Sequence, residues 1–160
     1  MAVHKKPNPK IWSGRNSNEE LYLHEKVSFP TIDKIAASSI AILGYACDEG
    51  VKRNQGRIGA KAGPDAIRTQ LAKMPNHLDA GLNLVDCGTI VCEDGDMETA
   101  QNLLSEKVAQ LLKQNTFPIL LGGGHDIAYG HYNGINKSLS KEETIGIINF
   151  DAHFDLRSNA

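Results

Sequence analysis

At 160 residues the chain suffices for one ordinary domain, and 41% hydrophobic with 22% charged residues suits a folded globular protein, not a disordered tail. A formal net charge of −2 leaves no basic footprint, which excludes nucleic acid as an expected partner. No apolar run approaches the ~18 residues of a membrane span, and the start, Met1 to Pro7, lacks the apolar stretch of a secretion signal.

The elements follow in chain order. Residues 1–38 mix Pro, Asn, Ser and charge, and read as a wrapping arm with one short helix. Residues 39–45, Ser-Ile-Ala-Ile-Leu-Gly-Tyr, are the first strand, bounded by glycine. A Gly- and Lys/Arg-rich loop runs from about 46 to 63. A helix then starts at Gly63-Pro64, where proline suits the first turn because its missing N–H has no partner there anyway. Ile67, Leu71 and Met74, at i, i+4 and i+7, predict its buried face. Residues 82–88 read as a second strand. Residues 98–114 form the clearest helix, striped by Ala100, Leu104, Val108, Leu111 and Leu112, with Asn115 as a stop. Alternating strands and helices predict an α/β fold, a mainly parallel sheet covered on both faces, with the core over residues 39–160.

Two further strands carry the chemistry. Residues 117–121 run into Gly122-Gly123-Gly124-His125-Asp126 and then a helical segment at 127–132. Three glycines let the backbone turn sharply and approach a ligand closely. They deliver His125 to the carboxyl end of its strand, where open α/β sheets place their sites. An anion-binding turn, with His125 as a mere cap, is the bland alternative. Neither nucleotide-loop glycine pattern is present. The apolar run 145–148 predicts a covered parallel strand. Directly after it stand Asp151, His153 and Asp155 at i, i+2 and i+4. In an extended backbone these side chains share one face. Two carboxylates and one imidazole suit Mn²⁺ or Zn²⁺.

Together these motifs resemble the ureohydrolase family of arginase, agmatinase and formimidoylglutamase. That family places a ligating His after a Gly-Gly turn, then Asp-Ala-His-x-Asp, then a later aspartate pair. His125, Asp151, His153 and Asp155 match the first four ligands, and the chain ends at Ala160 before the later pair. The similarity is nearest to the formimidoylglutamase subgroup, through Pro9-Lys10-Ile11-Trp12-Ser13-Gly14-Arg15, the segment 50–60 and Gly63-Pro64-Asp65-Ala66-Ile67-Arg68. The turn Gly-Gly-Gly-His-Asp departs from the Gly-Gly-Asp-His-Ser commoner in arginases and agmatinases.

The resemblance implies the first half of a three-layer α/β/α arginase-like fold. It also implies two Mn²⁺ per complete subunit, with Asp151 bridging, His125 and Asp155 on one ion and His153 on the other. Asp155 would in addition steer a proton. The implied reaction is hydrolysis of N-formimidoyl-L-glutamate to L-glutamate and formamide in histidine degradation, by a homo-oligomer when full length. Agmatine- or arginine-directed hydrolysis, a mononuclear zinc deacetylase and a non-catalytic truncated fragment are the alternatives. For the 160 residues alone the expectation is negligible activity and poor solubility, since the ligand set is unclosed and the last strand's edge exposed.

Arg53, Asn54 and Arg57 are candidate substrate-binding residues, because guanidinium forks match carboxylates; a solvated or subunit-facing basic loop fits them equally. His131 reads as supporting or surface, and His4, His24 and His77 carry no spacing signal. Asp48, Glu49, Asp94 and Asp96 read as loop carboxylates, and Trp12 as a packing anchor. Cys47, Cys87 and Cys92 lack Cys-x-x-Cys spacing and suit reduced thiols in a cytoplasmic protein.

Overall fold

In a computed structural model, which describes residues 1–153, strands β1 (Ala2–Lys5), β2 (Ile40–Ala46), β3 (Leu84–Cys92) and β4 (Phe117–Leu121) form one sheet in the order β1-β3-β2-β4. The helices described are α1 (Leu23–Lys26), α2 (Glu49–Arg53), α3 (Gly63–Leu71), α4 (Met97–Lys113) and α5 (Ile127–Ser138). Strand β2 runs parallel to both β3 and β4, while β1 pairs antiparallel with β3. None of the described helices is long and apolar enough to cross a membrane.

Strand β2 is covered on both faces, and its period of two divides the core. Ala41, Leu43 and Tyr45 join one cluster with Val85, Cys87 and Ile90 of β3 and the stripe of α4. Ile42 points the other way, into a cluster with Trp12, Val27, Ala72, Leu84 and Leu121. The alternation in β3 slips between Cys87 and Ile90 because of a bulge: Ile42 pairs with Asp86, but Gly44 pairs with Thr89. Gly88 takes φ +86 there, and a Cβ on it would stand 2.1 Å from the Lys5 carbonyl oxygen. Only glycine fits that position.

Helix α4 follows its expected stripe. Ala100, Leu104, Val108 and Leu111 are fully buried, and Leu112 packs on the same cluster partly buried. Asp96 caps its start by accepting from the Thr99 N–H at 3.1 Å, and Asn115 at φ +55 follows its end. Helix α5 packs along α4, and Ile127 and Ile135 reach the same cluster.

The expected face of α3 is observed only at Leu71, which packs partly buried on the second cluster. The helix ends at Leu71, and Ile67 and Met74 are 40% and 50% exposed. Pro64 and Arg68 are buried instead, followed by Ala72. Arg68 can be buried because its partner is buried with it. Its Nε and one terminal nitrogen donate to Asp86 at 2.8 and 2.9 Å, and other donors reach Thr89 Oγ1 and the Gly88 carbonyl. Trp12 Nε1 donates to the same carboxylate at 2.7 Å, which ties the N-terminal arm to the core. Trp12 is thus the packing anchor expected of it. Apolar periodicity cannot register a buried face led by a paired guanidinium.

Two other differences bear on the sheet. Strand β1 lies in the segment read only as an arm; its His4 ring Nε2–H donates to the Cys87 carbonyl at 2.7 Å. The predicted strand over 145–148 is absent: residues 145–150 have no regular structure, and Ile147, Ile148 and Phe150 are 73%, 83% and 96% exposed. An apolar run becomes a strand only through a paired edge and covered faces; the outer edge of β4 is open in the order β1-β3-β2-β4, and among the described residues the run does not pair with it.

Removing one partner of the Arg68–Asp86 pair leaves a buried charge uncompensated. Asp86→Ala is expected to lose about 3–5 kcal/mol of stability in urea unfolding; an unchanged midpoint would show that the pair is dispensable.

Candidate metal centre

The turn after β4 is fastened to the carboxyl end of β2. Gly123 N–H donates to the Tyr45 carbonyl at 2.8 Å, and Gly124 N–H to the Cys47 carbonyl at 2.9 Å. A Cβ on Gly123 would stand 2.5 Å from the Cys47 oxygen and 2.6 Å from that of Tyr45, so the approach requires glycine. The chain turns straight into α5, where the Ala128 N–H donates to the His125 carbonyl at 3.0 Å. His125 is left exposed at the sheet's carboxyl end, as its sequence context predicts.

Asp126, which the sequence reading did not single out, anchors the same turn. Tyr45 O–H donates to its Oδ2 at 2.6 Å, and Gln101 Nε2 lies 3.4 Å from both that oxygen and the Asp126 carbonyl. Burial, reinforced by Asp126, pushes the Tyr45 phenol far above its ordinary pKa, so it stays a donor. The signals available were a tyrosine in an otherwise aliphatic strand and Gln101 beside an apolar helical stripe.

Asp151 and His153 sit in a bend rather than an extended strand. The His153 N–H donates to Asp151 Oδ1 at 3.0 Å, a local turn that short carboxylates favour. The imidazole Nδ1 lies 3.6 Å from the same oxygen, and Asn149 Nδ2 donates to the His153 carbonyl at 3.2 Å. That N–H bond holds the Asp151 carboxyl below the usual carboxylate range, and the nearby His125 and His153 lower it further. Asp155 lies outside the described residues. Among the described residues, no three His, Cys, Asp or Glu side chains already form a group that could hold an ion. By donor type His125, Asp151 and His153, a carboxylate and two imidazoles, fit a divalent ion such as manganese or zinc.

The basic loop is organised from within the chain. Arg53 Nε donates to Glu49 at 3.1 Å, its two terminal nitrogens both reach Glu98, and one also reaches the Gly95 carbonyl. Glu98 and then Glu49 raise its pKa further above the ordinary arginine value. Asn54 follows as the C-terminal cap of α2, and Arg57 is exposed. Asp48 accepts from the Gly59 and Lys61 N–H groups, at 3.1 and 2.6 Å, and so shapes the loop's far side. Elsewhere, His24 Nδ1 lies 2.9 Å from the Ala72 carbonyl, and burial lowers the pKa of half-buried His131. The three cysteines are free, and burial pushes Cys87 up to about 12 and Cys92 up to about 11.

Residues 38–160 match the arginase family, and the chain belongs to it. It is 47% identical over 152 residues to a formimidoylglutamase of Aeromonas hydrophila, covering 92% of this chain and 48% of that protein. With a formimidoylglutamase of Geobacillus sp. (strain WCH70) the identity is 42% over 162 residues, covering 97% and 50%. Among solved structures, Trypanosoma cruzi formiminoglutamase with Mn²⁺ superposes with TM-score 0.57 at 27% identity. That superposition covers 84% of this chain and 41% of that one. The chain thus spans about half the length of the curated relatives it matches. The sheet and helices are those of an arginase-like fold.

Proposed function

We propose that the protein acts as a binuclear manganese hydrolase on N-formimidoyl-L-glutamate in histidine degradation. Water adds at the amidine carbon, the carbon–nitrogen bond to the glutamate nitrogen breaks, and L-glutamate and formamide leave. The observation that supports this reading is His125 held at the carboxyl end of the sheet by the glycine turn after β4, in a chain whose relatives are formimidoylglutamases. A bound metal pair supplies Lewis-acid activation of water near neutral pH.

The ligands in this reading are His125, Asp151, His153 and Asp155. Asp151 would be shared between the two sites, and Asp155 would also steer the proton of the attacking water. Arg53, Asn54 and Arg57 would hold the substrate carboxylates, which requires Arg53 to exchange its bonds to Glu98 for bonds to substrate. The protein would work in the cytoplasm as a homo-oligomer on a small-molecule substrate, with neither nucleic acid nor membrane as partner. The 160 residues alone would turn over negligibly, since four ligands bring too little negative charge to hold two divalent ions side by side.

An activity panel on the complete protein with Mn²⁺ tests the substrate. Formamide release from N-formimidoyl-L-glutamate is expected to outrun urea release from agmatine and arginine; the reverse order would replace this reading with the sister activity. One ion per subunit in the wild type would point instead to a mononuclear deacetylase-like site.

Elemental analysis tests the ligand assignment separately. Asp151→Ala is expected to lose manganese from both sites and His153→Ala from one. Two ions per subunit retained in Asp151→Ala would refute the bridge.

A further inference from the structure

Asp126 occupies the N-cap position of α5, yet its side chain makes no capping bond. Serine or asparagine would serve a helix start there without burying a charge. The carboxylate turns instead toward β2, where Oδ2 accepts from the Tyr45 hydroxyl at 2.6 Å across 81 residues of sequence. Its other oxygen, Oδ1, is buried with no hydrogen-bond partner among the described residues. A Cβ on Gly124 would lie 2.4 Å from Oδ1, and one on Gly50 would lie 2.7 Å from it. Two glycines therefore make room for a carboxylate that is only half satisfied. A buried polar atom left in this state calls for a reason.

Position supplies one. Asp126 directly follows His125, and the Tyr45–Asp126 bond closes a third tie between turn and strand, beside those of Gly123 and Gly124 to the same strand end. The two backbone bonds fix the turn before His125, and the side-chain bond fixes it after. Between them His125 has little freedom to rotate about the chain. We propose that Asp126, held by Tyr45, is a positioning residue that presents the His125 imidazole to manganese. The inference rests on the manganese reading above and adds to it a residue pair that touches neither metal nor substrate. Supporting groups of this kind commonly change metal affinity by tenfold or more when removed.

The experiment is a double-mutant cycle in the complete protein: Tyr45→Phe, Asp126→Ala and the pair together. Mn²⁺ alone is the probe, and its binding is followed by electron paramagnetic resonance of the free ion. Tyr45→Phe keeps the buried ring and removes only the hydroxyl, so it decides the matter if Asp126→Ala fails to fold. Each single variant is expected to bind Mn²⁺ about tenfold more weakly. The double variant should bind no more weakly than the weaker single one, because both substitutions break one bond. Affinities within threefold of wild type in the single variants, or losses that multiply in the double variant, would overturn the proposal. A wild type that binds no Mn²⁺ would remove the manganese reading itself and this inference with it.

Discussion

Two backbone hydrogen bonds, from Gly123 and Gly124 to the carbonyls of Tyr45 and Cys47, are the constraint on which the rest of the site depends. They require a strand whose carboxyl end is rigid and a turn with no side chain at the contact. Strand β2 meets the first requirement because it is paired on both edges and covered on both faces. The glycines meet the second. His125 then emerges where the parallel strands end, with α5 leading away from it. Site geometry here derives from sheet packing, and the chemistry is attached to it.

The buried Arg68–Asp86 pair does comparable work on the opposite face of β2. Asp86 accepts from Arg68, from Trp12 and from the Gly88 N–H at 2.9 Å, so one carboxylate joins α3, the N-terminal arm and the bulge of β3. A charge so fully hydrogen-bonded is tolerated in a core, and removing any partner exposes the cost of the others. Helix α3 begins against the turn itself: a Cβ on Gly63 would stand 2.4 Å from the Gly122 carbonyl oxygen. The ion pair and the turn before His125 thus bracket one helix.

Much of this was legible in sequence for identifiable reasons. Strands β2 and β4 and helix α4 are apolar in the period of their element, and local pattern suffices for them. The glycine run before His125 announced a close approach. The polar Ala2–Lys5 strand gave no such signal, because an edge strand takes its place from its neighbour. Arg68 was hidden because its partner lies 18 residues away and charge usually marks a solvated face. The Tyr45–Asp126 bond was hidden for the same reason, at greater range. At 145–148 the pattern promised a strand, but in the described structure that run does not pair with the open outer edge of β4. Pattern specifies what a segment can become, and pairing decides whether it does.

Amide hydrogen exchange followed residue by residue measures the central constraint most directly. If the turn is bonded to β2 as described, the amides of Gly123 and Gly124 should exchange as slowly as the paired amides of β2. Exchange of both glycines at the rate of an unstructured chain, with β2 still protected, would contradict this account of how His125 is placed.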